Sequence, residues 1–256
     1  MKVVTLTDLH FNQRLKRKTT EKLISRVSEA RPELILVLGD LIDYVNELEN
    51  KEVEERILEF FGKLGKIAPV LAVYGNHDMT FKTKGEQVEK IPMEFREKLE
   101  KIQGVKILDN QLVKVRGRIF VGFNPSGEYY QIGEKKTEDE EVLRREIRKL
   151  VSSLNLKTDK PKYFLTHSPL RGDVLKEELR DFNLIFTGHM HNGCLPQILL
   201  GLTKNKGIIG PSKGLFPKYA HGKSGNLVIL PPVSTFPSHL RFLQPFYPRY
   251  ISIFEL

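Results

Sequence analysis

Five short polar clusters punctuate this 256-residue chain, each just past an apolar, β-branched run. They are Asp8-Leu9-His10, Gly39-Asp40, Gly75-Asn76-His77-Asp78, His167 within Thr166-His167-Ser168-Pro169, and Gly188-His189-Met190-His191. Carboxylates, imidazoles and one carboxamide, with no sulfur among them, are the ligand set that a pair of hydrolytic divalent metals needs. Asp40 offers two oxygens and a full negative charge. Asn76 offers a neutral carbonyl oxygen. The imidazoles bind as neutral groups, so acid should weaken the site. Mixed N/O ligation suits Mn, Fe or Zn without choosing among them.

Taken singly the clusters say little. A lone Asp-x-His is more often a cap or surface pair, and Gly-Asp after a strand is commonly a turn. Their conjunction after successive strands is what makes coincidence implausible. Five of the seven histidines lie in these clusters. Cys194 is set aside as a ligand because the set is complete without it, and His221 and His239 read as packing or surface histidines.

The elements that must position these groups are legible as a strand–helix alternation. Lys2 to Thr7 and Val70 to Tyr74 read as strands, and Leu34-Ile35-Leu36-Val37-Leu38 as one buried on both faces. Thr19 and Thr20 offer caps to a helix through Leu23, Ile24, Val27 and Ala30, and a second amphipathic helix runs from Lys51 to Leu64. Alternation of this kind indicates right-handed crossovers and a largely parallel sheet. Ligand chemistry in such a sheet gathers at the strand carboxyl ends, so all five clusters are expected on one edge of one sheet.

A helix over Glu89 to Ile102 then gives way to close-spaced strands at Val105 to Leu108, Gln111 to Val115 and Ile119 to Phe123. Their turn signals predict an antiparallel meander in a second sheet. A charged helix over Glu138 to Leu154, strands at Tyr163 to Thr166 and Asn183 to Thr187 with a short helix between, and closing strands at Leu227 to Leu230 and Tyr250 to Phe254 complete the pass. One domain over 1–256 is expected, with 192–226 as an irregular loop or cap.

The series Asp8-x-His10, Gly39-Asp40, Gly75-Asn76-His77-Asp78, His167 and Gly188-His189-x-His191 resembles the calcineurin-like metallophosphoesterases. The resemblance implies an α/β fold, a four-layer α/β/β/α sandwich with two mixed sheets. It implies that Asp8, His10 and His191 hold one metal, that Asp40 bridges, and that Asn76, His167 and His189 complete the second site. It also implies that His77 meets the phosphate and assists the leaving group, with Asp78 orienting it. Two divalent metal ions and a metal-bridging hydroxide attacking phosphorus in line would make the chain a phosphoric ester hydrolase. The stretch after His191 is similar to a bacterial phosphodiesterase branch, from which Asn192 and Cys194 depart. A phosphodiesterase is therefore expected, with a phosphomonoesterase or nuclease on the same site, or a non-catalytic metal-binding scaffold, as the alternatives.

Bulk properties limit the partners. Net charge is +9, from 41 Lys plus Arg against 32 Asp plus Glu, which favours an anionic phosphoester. Nucleic acid is not favoured, because aromatic and basic residues do not interleave into a platform. No run approaches a membrane span and no leader precedes the first strand, so a cytoplasmic protein is expected. Arg14 to Lys18 reads as a solvated loop and the aromatic stretch Phe236 to Tyr250 as a packed cap, with peripheral membrane contact as the alternative at either. The single cysteine excludes an internal disulfide framework.

Overall fold

Every residue of Leu34–Leu38 is buried, because this strand (β2) has a layer against each face. In the computed structural model, described for residues 1–79, 92–126, 129, 140–154, 156–169, 171–195, 200, 202–208, 215–233 and 251–256, β2 pairs in parallel with β1 (Lys2–Leu6) and β3 (Val70–Val73). β4 (Val105–Ile107) continues the sheet in parallel beyond β3, and the C-terminal strand β11 (Ser252–Glu255) closes its other edge antiparallel to β1. A second sheet runs in the order β5 (Gln111–Val115), β6 (Arg118–Gly122), β7 (Lys162–Leu165), β8 (Leu184–Thr187), β10 (Leu227–Ile229), β9 (Gly222–Ser224). Its central pairings β6–β7–β8–β10 are parallel and its two outer pairings antiparallel.

Three cores stack into the expected four-layer α/β/β/α sandwich. Helices α1 (Arg17–Ala30), α2 (Lys51–Ile67) and α3 (Met93–Glu100) cover the outer face of the first sheet through Leu23, Val27, Phe60, Phe61 and Leu99. Helices α4 (Glu140–Ser153) and α5 (Gly172–Glu178) cover the second through Leu143, Ile147 and Val174. Between the sheets lie Leu36, Leu38, Val73, Phe120, Tyr163 and Phe186, with the Phe120 and Tyr163 rings stacked at 5.1 Å.

Three expectations are corrected. The three close-spaced strands are not one meander: β4 pairs with β3 in the first sheet, and only β5 and β6 form a hairpin in the second. The chain changes sheet at Asp109-Asn110, where Asn110 is left-handed (φ 55) and exchanges side-chain hydrogen bonds with the Asn124 backbone. The five clusters accordingly lie on a rim shared by two sheets, after β1, β2 and β3 of one and β7 and β8 of the other. Finally, α1 starts at Arg17 without a side-chain cap, and Thr20 Oγ1 donates back to Arg17 O at 2.8 Å. A hydroxyl one turn inside a helix finds the preceding carbonyl rather than an orphan N–H. The Phe236 to Tyr250 stretch and His239 lie outside the described residues.

Candidate metal centre

The loops that leave these strands are held in costly backbone conformations. Asp8 (φ 55), His10 (φ 46), Asp40 (φ 50), His189 (φ 68) and His191 (φ 44) are all left-handed without being glycine. Such strain persists where the surroundings over-determine it, and it clusters at functional sites. Here the surroundings are hydrogen bonds between loops. Asp8 N donates to Gly39 O at 3.1 Å, His10 N to Asp40 O at 2.9 Å, and His189 N to Asp8 Oδ2 at 3.1 Å. Gly75 and Gly188 allow the loops to close: a Cβ on the first would strike the Asp40 carboxylate, and one on the second the Thr7 hydroxyl.

Two groups of potential ligands result. Asp8, His10 and His191 converge, with His191 Nε2 3.3 Å and His10 Nε2 3.9 Å from Asp8 Oδ1. Asp40, His167 and His189 converge beside them, with His167 Nε2 3.1 Å from both Asp40 Oδ2 and His189 Nδ1. Asp40 Oδ2 also lies 3.6 Å from His10 Nε2, between the groups. Asn76 stands between Gly75, packed on the Asp40 carboxylate, and His77, whose N–H donates to Asp40 Oδ1 at 3.0 Å. Six of the seven residues expected as ligands therefore gather in two adjoining groups, and Asn76 lies in the chain between two residues that contact Asp40.

Several of these atoms have no hydrogen-bond partner among the described residues although water cannot reach them: Asp8 Oδ1, His10 Nε2 and Asn76 Oδ1. Buried polar atoms are paired in nearly all native structures, and a cation is what such orphans can share. His167 Nδ1 lies 2.7 Å from Leu38 O, which places a proton on that nitrogen and leaves Nε2 with its lone pair toward the centre. Without a cation, protons take part of its role. Burial opposes charge on His167, yet the adjacent Asp40 carboxylate pushes its pKa up to about 10. Burial would also raise Asp40, but His167 and then His77 hold it well below the usual carboxylate range. Burial, followed by repulsion from His167, lowers His189, while burial pushes His191 down to about 4 against the pull of Asp8. Mixed imidazole and carboxylate donors in two adjoining groups fit a pair of divalent cations.

His77 lies at the mouth of the centre, its side chain 27% exposed, and its ring meets the His10 ring edge-on at 4.8 Å. Asp78 is not its partner. The buried Asp78 carboxylate instead accepts from Leu41 N at 2.8 Å, Ile42 N at 3.1 Å and Gly75 N at 2.7 Å, tying the Asp40 and Asn76 loops together. The group facing the His77 Nδ1 is Asp43, through its backbone carbonyl and, at 3.9 Å, its Oδ1. Asp43 Oδ1 lies 3.5 Å from His10 Nδ1 as well, and His10, Asp43 and His77 form a third cluster of metal-ligand type. Sequence reading passed over Asp43; its signal was the short Asp40-x-x-Asp43 spacing just after a buried strand. Cys194 is half-buried and belongs to none of the clusters, while His221 is buried with Nε2 2.7 Å from Thr203 Oγ1.

The sequence profile of calcineurin-like phosphoesterases matches residues 1–193, which include all three clusters of metal-ligand type and Asn76. The chain belongs to the calcineurin-like phosphoesterase family. Among its relatives in that family is an uncharacterized metallophosphoesterase of Campylobacter jejuni, 28% identical over 82% of this chain and 49% of its own length. Phosphodiesterase YaeI of Escherichia coli is 24% identical over 78% of this chain and 64% of its own. The chain thus spans about half to two-thirds of the length of these two calcineurin-like relatives. A dimetal phosphatase from Danio rerio shares the fold, with a TM-score of 0.52, 12% identity, and 93% of this chain and 90% of that one covered. Among the described residues no helix is long and apolar enough to cross a membrane.

Proposed function

We propose that the chain is a phosphodiesterase working with two divalent cations. The observation that carries this reading is Asp40, grouped with His167 and His189 and 3.6 Å from His10 of the adjoining group, where Asp8 Oδ1 and His10 Nε2 are orphaned, with His77 beside them. In it, Asp8, His10 and His191 would hold one cation, Asn76, His167 and His189 would hold the other, and Asp40 would contribute to both. When bound, such a pair supplies positive charge to the phosphoryl oxygens and acidifies water for attack on phosphorus. The remaining work falls to this chain's own groups. The carbonyl of Asp43 fixes the His77 ring by its Nδ1, which aims Nε2 at the departing oxygen. His77 then delivers a proton there, a contribution typically of ~10²–10⁴-fold. Asp78 serves by holding the Gly75 and Leu41 backbones in register, a positioning role.

A diester preference is supported by the similarity to YaeI, whose name describes a phosphodiesterase. We read 1–256 as one domain, with 192–226 as a loop or cap region. The test is a panel with Mn²⁺: a bis-aryl phosphodiester, an aryl phosphate and single-stranded DNA, with metal content measured in parallel. The expected result is a kcat/KM for the small diester at least ~10-fold above the others. Preference for the monoester or the DNA would reassign the substrate. A chain that holds two ions per molecule yet turns over none of the three would end the catalytic reading.

A further inference from the structure

Phosphoester cleavage does not account for the charge layout of the last third of the chain. Between Phe182 and Phe254 there is no Asp or Glu, against five lysines and two arginines, so this segment supplies seven of the nine units of net positive charge. Within it, residues 202–208 and 215–221 make a projection folded back on the His191 loop. Lys206 N donates to Thr203 O at 3.0 Å across a turn whose central residues, Lys204 (φ 45) and Asn205 (φ 72), are both left-handed. That is the backbone pattern of a type I′ turn. At its base Ile208 N donates to Gly193 O at 2.8 Å and Phe216 N to Ile208 O at 3.0 Å. His221 braces it from within, through Thr203 and the side chain of Asn205.

The projection presents apolar groups to solvent. Leu202 (78% exposed), Leu215 (70%), Phe216 (70%) and Ile208 (42%) are four of the six exposed large hydrophobic side chains among the described residues. Phe216 is held outward by a left-handed backbone (φ 54). Apolar side chains gathered on a surface mark an interaction site more often than chance exposure. Exposed Lys204 and Lys206 flank the turn, and neither makes an ion pair with a described residue. Asp173 of α5 is engaged by Lys218 at 2.8 Å.

We propose that this projection docks onto an anionic lipid bilayer. Leu202, Leu215 and Phe216 would enter the boundary between headgroups and acyl chains while Lys204 and Lys206 meet the lipid phosphates. Apolar insertion combined with basic attraction is the usual physics of such contacts. Single-stranded nucleic acid calls for aromatic platforms along a basic groove, and three of the four exposed apolar side chains are aliphatic. Because the base of the projection is hydrogen-bonded to Gly193, docking sets the His191 side of the centre next to the lipid–water boundary. Docking does not depend on which ester the centre cleaves.

Sedimentation of the purified chain with vesicles tests this, using phosphatidylcholine alone or with about one-third phosphatidylglycerol. The expected result is at least ~10-fold stronger partitioning into the anionic vesicles, most of it lost at about 0.5 M salt. Leu202→Gln, Leu215→Gln and Phe216→Gln combined should cut that partitioning about tenfold, as should Lys204→Glu with Lys206→Glu. Circular dichroism melting confirms that the variants remain folded. Variants that bind like the parent, equal binding to neutral vesicles, or binding to single-stranded DNA but not to lipid would each overturn the proposal. Failure to bind vesicles of either kind would overturn it too.

Discussion

Asp43 faces two imidazoles at once, His10 Nδ1 at 3.5 Å and His77 Nδ1 at 3.9 Å from one carboxylate oxygen. Replacing it should therefore disturb proton delivery more than ion retention. Asp43→Ala is expected to lower kcat for an alkyl phosphodiester about 10–100-fold, with a smaller effect on aryl leaving groups and two ions still bound. Metal analysis alongside kinetics distinguishes this from loss of a ligand. The buried histidines also set a pH signature for the chelated protein. His191 stays neutral down to about 4 in the fold, whereas its reference pKa is 6.5. Between those values the unfolded chain takes the proton, so acidification drains stability, on the order of 3 kcal/mol. His167, raised to about 10, acts in the other direction: its pairing with Asp40 stabilises fully below 6.5 and is lost as pH climbs toward 10. Urea midpoints measured in EDTA should peak near ~6.5, and bound Mn²⁺ should flatten the alkaline side because it needs the neutral ring. A midpoint that rose steadily from pH 6.5 to 9 would contradict the His167 assignment.

At the scale of elements, the turn after β3 is a tight junction in the centre. Gly75→Ala would press a methyl group into the Asp40 carboxylate, which backbone and side chains hold from several directions. The expected outcome is loss of metal occupancy with a drop of about 1–3 kcal/mol in stability, read by metal analysis and denaturant unfolding. Gly62, on α2, has open space around its Cβ position and serves as the control, since Gly62→Ala should be neutral or mildly stabilising. The strands were legible because Leu34–Leu38 and Val70–Val73 are apolar throughout, and the polar residues directly after them were legible for the same reason. Sheet membership was not. Asp109-Asn110 reads as a hairpin turn, yet Asn110 and Asn124 redirect the chain between layers by contacts 14 residues apart. Asp78 was misread for a similar reason, since adjacency to His77 in sequence says nothing of three backbone N–H groups converging on it from two loops.

For the whole molecule, ion binding and folding should be one equilibrium. A centre assembled only in the native state gains stability by mass action, about 2.7 kcal/mol at a hundredfold excess over Kd. For a chain of this size that corresponds to a rise in Tm of about 5–10 °C on adding Mn²⁺, reversed by EDTA. No shift in Tm, with the ions shown to be absent after dialysis, would mean that the orphaned atoms are not a cation site. The shared rim adds something a one-sheet site would lack. Asp8 and His10 leave β1 while their companion His191 leaves β8, and Asp40 leaves β2 while His167 and His189 leave β7 and β8. Each ion would thus act as a rivet through the seam, gripping one plate of the sandwich with some of its ligands and the opposite plate with the rest. Two fragments produced by cutting the chain near Gly117 should each be poor chelators alone, and should be drawn into one assembly by the metal that neither can keep.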